Sequence, residues 1–240
     1  MLVINQPTYL PWAGYFDLID QSSVFVFLDD VQFDRQSWQQ RNRIISTKGY
    51  LMISVPVKNK GKKSQLINEV EFSDSKFKNK HLLSIKNCYS KSKYFKIYFD
   101  QLENIFLEAE KNRYLADLNI ILIKWISKSM GIETVFKRSS ELNIDGKKGE
   151  KVANICLALN EKEYLTSIGA VEYLKKQKIY FDSKSIKIFI QKKIQFKYKQ
   201  QSQIFLDQAS ALDLLFNEGP NSITVIRSNR KEAELLSTFD

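Results

Sequence analysis

Two prolines, Pro7 and Pro11, break the chain between its first two apolar runs. Neither can continue a strand ladder, and Pro11 also disfavours helical backbone at the residue before it. Leu2–Ile4 therefore reads as a strand that ends in a rigid loop, with a helix starting near Ala13. A second apolar strand, Val24–Leu28, follows at once and ends in two carboxylates, Asp29 and Asp30. Strand, loop, short helix and a strand with polar residues at its carboxyl end is the order of an α/β ligand site. The chemistry is expected at those strand ends.

At 240 residues, with 43% hydrophobic and 12% aromatic side chains, the chain can bury a substantial core. No apolar run approaches the ~18–20 residues of a membrane-spanning helix. Leu118–Ile126 comes nearest and is interrupted by Asn119 and Lys124. The first residues lack the pattern of a secretory signal, so no membrane insertion and a cytoplasmic location are expected. Cys88 and Cys156 stand alone, without CxxC spacing or clustered histidine, and read as buried thiols. No metal and no cofactor are expected. The formal charge of +10, from 37 basic against 27 acidic residues, is carried mostly by lysine. It reads first as a lysine-rich solvated surface, and second as attraction to an anionic partner.

Strands are expected at Ile44–Ser46 and Leu51–Val57 around a turn at Lys48-Gly49, and again at Leu66–Phe72. From Ser75 the spacing of apolar residues becomes helical, through Tyr89, Phe106 and Ile126, until Gly131 stops it. Strands return at Thr134–Phe136, Tyr164–Thr166, Ile179–Phe181 and Ile186–Ile190. Helices are expected over Glu150–Leu159 and Val171–Lys176, with a last one at Ser210–Phe216 closed by Gly219-Pro220. The expected fold is α/β, a mainly parallel Rossmann-like sheet with a helical insert or subdomain. One domain is expected over residues 1–240, with a helical subdomain at about 73–133 and a C-terminal α/β portion at about 134–240.

Tyr9, Trp12 and Tyr15 crowd the first loop beside Gln6, and aromatics there suit a stacking platform for a sugar ring or a base. They also suit a plug at one end of the sheet. Adjacent residues of an extended chain face opposite ways, so only one of Asp29 and Asp30 readily faces a pocket. A base, a hydroxyl acceptor or a capping carboxylate all fit that position, with Gln32 close by. Arg41 and Arg43 flank Asn42 in a chain that otherwise prefers lysine. The guanidinium fork suits phosphate or carboxylate, or an internal salt bridge. His81, the lone histidine, is the one side chain whose ordinary pKa fits proton transfer near neutrality. It lies on the apolar stripe of a helix, where a hydrogen-bonded core role is the commoner one. Ser167 and Gly169 open a helix after a strand and suit either an anion-binding turn or a plain cap.

Together these motifs resemble the WbqC-like family of bacterial proteins. The family's opening I-x-Q-P-x-Y-L-P-W-x-G-Y-F is matched over Ile4–Phe16, and its V-F-V-x-L-D-D-V-Q-F over Val24–Phe33. Q-x-R-N-x-I fits Gln39–Ile44, V-P-V-K fits Val55–Lys58, and K-H-L fits Lys80–Leu82. A Y-L-S-G-x-G-A-x-E-Y-L-like stretch fits Tyr164–Leu174, with Thr166-Ser167 where the family has S-G. The family's K-T-D-R segment appears as Lys148-Gly149-Glu150-Lys151. A weaker resemblance links the opening to pantothenate-synthetase-type nucleotidylyl enzymes. Their H-x-G-H frame would be Trp12-Ala13-Gly14-Tyr15 here, with both histidines replaced.

The resemblance implies a transferase of O-antigen or capsule biosynthesis that modifies a nucleotide-linked amino sugar by acyl or aminoacyl transfer. Its implied partners are a nucleotide-sugar or other anionic small molecule, and an acyl or aminoacyl donor carrier. The match to K-H-L makes His81 a candidate general base beside Asp30. A non-catalytic sugar-nucleotide-binding or scaffold protein of the same pathway is the competing class. RNA or aminoacyl-tRNA binding is a third, resting on the charge alone.

Overall fold

The computed structural model describes residues 1–108, 113–202 and 204–239. Its first strand β1 (Leu2–Asn5) runs into the proline loop, helix α1 (Ala13–Asp20) and strand β2 (Val24–Phe27). The two strands pair in parallel, Leu2 opposite Val24 and Asn5 opposite Phe27. A separate antiparallel hairpin follows, β3 (Arg41–Ser46) and β4 (Gly49–Ser54). Three helices come next, α2 (Phe77–Tyr89), α3 (Phe95–Glu108) and α4 (Leu115–Ser129), in the interval where the spacing predicts them. The chain then returns to the sheet with β5 (Val135–Arg138), α5 (Ser139–Leu142), α6 (Lys148–Ala158), β6 (Glu163–Ser167), α7 (Val171–Asp182) and β7 (Lys187–Gln191). Helices α8 (Ala211–Glu218) and α9 (Ser222–Asn229) and a short strand β8 (Glu234–Leu235) close the described part.

The six-stranded sheet has the order β5-β2-β1-β6-β7-β8, parallel throughout except for β8. Alternation along the strands sorts side chains onto two faces. Val3, Phe25, Phe27 and Leu165 join the core shared with α1 to α4, α8 and α9. Leu2, Ile4, Val26, Tyr164 and Ile188 point the other way, into the core with α6 and α7. This is a mainly parallel, Rossmann-like α/β architecture. Strands β2 and β5 extend to one side of β1, while β6 and β7 extend to the other. The direction of winding therefore switches between β1 and β6, and a ligand crevice belongs at the carboxyl ends of the strands there.

Three expectations need correction. Leu66–Phe72 forms only isolated bridges around a single turn at Ile67–Glu69. The Glu69 carboxylate accepts from the Leu66 amide at 2.9 Å, and this local bond competes with a ladder. Ile179–Phe181 belongs to α7, where Ile179 lies 71% exposed and only Phe181 enters the core, so its apolar run is no strand. Gly219-Pro220 ends α8 but also opens the turn that leads into α9, a position where a proline lacks nothing the helix needs.

Candidate functional site

The proline loop is built like a clamp. Pro7 and Pro11 have no amide hydrogen; the Pro11 carbonyl accepts from the Ala211 amide at 2.8 Å, and side chains satisfy the carbonyls of Gln6, Pro7, Tyr9 and Leu10. Asn119 Nδ2 donates to the Pro7 and Gln39 carbonyls at 3.0 and 2.8 Å. Asn42 Nδ2 donates to the carbonyls of Tyr9 and Leu10 at 3.0 and 2.9 Å. The Tyr15 hydroxyl donates to the Gln6 carbonyl at 2.9 Å, and Gln39 Nε2 donates to Gln6 Oε1 at 2.8 Å. Gln6, Tyr9, Tyr15 and Asn42 thus come together around one loop. The aromatics do not form an open platform: Tyr9 and Tyr15 are buried, and the half-buried Trp12 packs edge-on to Phe196 and over Gly14.

His81 is in the same buried group. Its Nδ1 lies 2.8 Å from the Tyr9 hydroxyl, and its ring also bonds to the Ser54 backbone. Burial lowers its pKa to about 4, which leaves the imidazole neutral at pH 7. The partners of His81 are thus Tyr9 and Ser54, while those of Asp30 are Ser139 and Lys151.

Asp29 and Asp30 meet a second group at the carboxyl ends of β2 and β5. Asp29 is fully buried and accepts from the Ser140 amide, the Ser140 hydroxyl and Arg138 Nε at 3.0, 2.9 and 2.7 Å. The same guanidinium reaches Asp117 on α4 at 2.6 Å. Asp30 accepts from the Ser139 hydroxyl at 2.5 Å and from Lys151 Nζ at 2.7 Å. Both carboxylates reach Ser139, because β2 ends at Phe27 and the chain bends at Asp30. The opposite facing expected of an extended pair does not apply there. The Asp30 and Lys151 side chains keep 18% and 11% exposure, so one edge of this ion pair faces solvent. Lys151 was not among the expected site residues, although it stands at the last position of the stretch fitted to the family's K-T-D-R segment.

Strand β6 ends beside β1, with Val3 opposite Leu165, and this puts Gln6 and Ser167 at neighbouring strand ends. Gly169 is exposed, and a Cβ there would meet the Ser167 hydroxyl at an ordinary contact distance of 3.9 Å. Gln32 is exposed and donates to the Lys63 carbonyl at 3.0 Å. Arg41 and Arg43 lie elsewhere, on the outer face of the hairpin, while Asn42 between them faces inward. A cleft of about 640 Å³ lined by Gln65, Asn68 and Tyr114 was not anticipated. Its wall is hydrogen-bonded to the chain leaving β2, Asn68 N to the Asp29 carbonyl at 2.9 Å and Ile67 N to the Val31 carbonyl at 3.0 Å. Among the described residues, no group of three or more His, Cys, Asp or Glu side chains is placed to hold a metal ion. Burial pushes the Cys156 thiol up to about 12, which keeps it protonated and inert at neutral pH.

The model of the WbqC-like protein family matches residues 6–225. The chain is also similar to the uncharacterized protein Rv1507c of Mycobacterium tuberculosis (strain ATCC 25618 / H37Rv). The two are 33% identical over 231 residues, which make up 96% of this chain and 99% of that protein. No solved structure matches the chain.

Proposed function

The chain belongs to the WbqC-like protein family, and from that premise we propose that it is a transferase acting on a nucleotide-linked amino sugar in surface-polysaccharide biosynthesis. The group transferred is an acyl or aminoacyl unit. The observation that carries the reading is the Asp30–Lys151 pair, held at the carboxyl edge of the sheet with one side open to solvent. In the proposed step the sugar amine attacks the donor's carbonyl carbon, a C–N bond forms, and the donor's ester or thioester bond breaks. Asp30 takes the proton the amine loses and passes it to the departing alcohol or thiol, and Lys151 offers positive charge to the developing oxyanion. Gln6, Ser167 and Gly169, at the ends of β1 and β6, contact the sugar nucleotide.

The saturation of Asp30 by Ser139 and Lys151 favours a second reading, a non-catalytic sugar-nucleotide-binding protein in which the pair only fastens α5 and α6 to the sheet. Incubating the purified protein with uridine-diphosphate amino sugars and a panel of acyl thioester and aminoacyl donors separates the two. Mass gain on the sugar amine supports the transferase, and ligand binding without any mass gain supports the second reading.

A further inference from the structure

Arg43 stands on the outer face of the β3–β4 hairpin, paired in register with Met52. Its guanidinium carbon lies 5.1 Å from the ring centre of Trp38 and 4.7 Å from that of Tyr50. A guanidinium stacked on aromatic rings keeps its N–H donors in its own plane, directed past the ring edges. Of those donors, Nη2 makes one long bond of 3.4 Å to the Gln208 carbonyl, and Nε–H is buried with no partner among the described residues. Arg41 lies on the same face two residues earlier, and its Nε–H is likewise buried and unpartnered. Charge-assisted bonds to planar oxyanions are the strongest this group makes, and among the described residues no acceptor meets either Nε–H.

The surroundings fit a ligand that combines an anion with a flat ring. Trp38, Tyr50 and Met52 are 47%, 43% and 44% exposed. Phe205, 41% exposed and edge-on to Tyr198, lies on a segment tied to the hairpin by the bond from the Tyr50 hydroxyl to the Asp207 carbonyl. Large aromatics left open beside arginine forks, in a chain of net charge +10, match the stacking platforms that hold bases and phosphates. We propose that this face binds a nucleoside phosphate, with the base against Trp38 and Tyr50 and the phosphate on the Nη donors of Arg41 and Arg43. The platform is separate from the chemistry assigned to the Asp30 edge and is testable without turnover. Its ligand is either a free nucleotide or a nucleotide within an RNA chain.

The experiment titrates the full chain with uridine diphosphate, inorganic pyrophosphate, uridine monophosphate and a uridine dodecamer, read by tryptophan fluorescence and calorimetry. Uridine diphosphate binds, and pyrophosphate binds more weakly because it has no base. Trp38→Ala weakens uridine diphosphate by roughly 5- to 150-fold, the range expected for losing one stacked base. Arg43→Lys, which keeps the charge and loses the planar fork, weakens it by about tenfold. Both positions are partly exposed, and an unchanged melting curve confirms that each variant is folded. A dodecamer binding far more tightly than the monophosphate makes RNA the source, and equal binding makes it the free nucleotide. Three results overturn the proposal: no binding of uridine diphosphate or dodecamer to the parent protein, pyrophosphate binding as tightly as uridine diphosphate, or loss of binding with Asp30→Asn but not with Trp38→Ala.

Discussion

The Tyr9 hydroxyl lies 2.8 Å from Nδ1 of His81, and the two buried side chains link the proline loop to helix α2. The ring also bonds to the Ser54 backbone, and burial keeps it neutral at pH 7. The bond to Tyr9 puts the lone histidine into the scaffold of the loop.

The first prediction follows from that neutrality. His81 has a pKa of about 4 in the fold and about 6.5 when unfolded, so below pH 6.5 the unfolded chain takes up the proton first. Its contribution to stability is complete above pH 6.5 and is lost as the pH falls from there to about 4. The loss amounts to roughly 3 kcal/mol over that window. Urea titrations between pH 7.5 and 4.5 should show this slope in the parent and its absence in His81→Gln, which is less stable at pH 7.5.

Asp213 gives the opposite sign. It is fully buried, and its partners are neutral: the Tyr198 hydroxyl at 2.7 Å and Gln200 Nε2 at 3.0 Å. Burial raises its pKa from 3.8 to about 6, against the lowering effect of those hydrogen bonds. The folded state therefore holds a proton that the unfolded state releases between pH 3.8 and 6. That contribution is present below pH 3.8 and is lost as the pH rises through 6, roughly 3 kcal/mol in all. Asp213→Asn should remove it, so the stability difference between parent and variant should shift by about this amount between pH 4 and 8.

A third prediction concerns Gly14. A Cβ there would stand 2.2 Å from Cη2 of Trp12, so the indole must leave its place over α1. Gly14→Ala should destabilise the protein by about 1–3 kcal/mol. In the double variant with Trp12→Ala the added cost of the alanine should nearly vanish, which a thermodynamic cycle on denaturation midpoints measures directly.

Arg138 holds two carboxylates at once, Asp29 at 2.7 Å and Asp117 at 2.6 Å, and so ties β5 to the ends of β2 and α4. Arg138→Met would leave the fully buried Asp29 charge with only the Ser139 and Ser140 donors. The expected loss is about 2–4 kcal/mol at pH 7. Chemical denaturation of parent and variant at pH 7 checks it.

The sheet was legible because its signals are local. Val24–Phe27 alternates valine and phenylalanine, and each type enters a different core. The helical interval from Phe77 to Ser129 was equally plain in its apolar spacing. The site was less legible because its partners are far apart in the chain. Nothing near Asn119 marks it as a donor to Pro7, 112 residues away, and nothing near Lys151 points to Asp30, 121 residues away. Tyr9 could be read either as a ligand platform or as core, because a tyrosine has both an apolar body and a polar tip. Only the three-dimensional packing, with His81 at the hydroxyl, decides its surroundings. Strand β8 pairs through Phe189 and Ile190, and two residues are too short a run to leave a periodic signal.

The central claim is that Asp30 does chemistry at the carboxyl edge of the sheet. Asp30→Asn keeps an oxygen for the Ser139 hydroxyl and removes the group that takes up the proton. The most direct measurement is the rate of acyl or aminoacyl transfer to a nucleotide-linked amino sugar by the folded variant, set against the parent under the same conditions. If Asp30 is the base, kcat falls by roughly 10²–10⁴-fold with melting behaviour close to the parent's. Transfer by Asp30→Asn within a few-fold of the parent would contradict the claim.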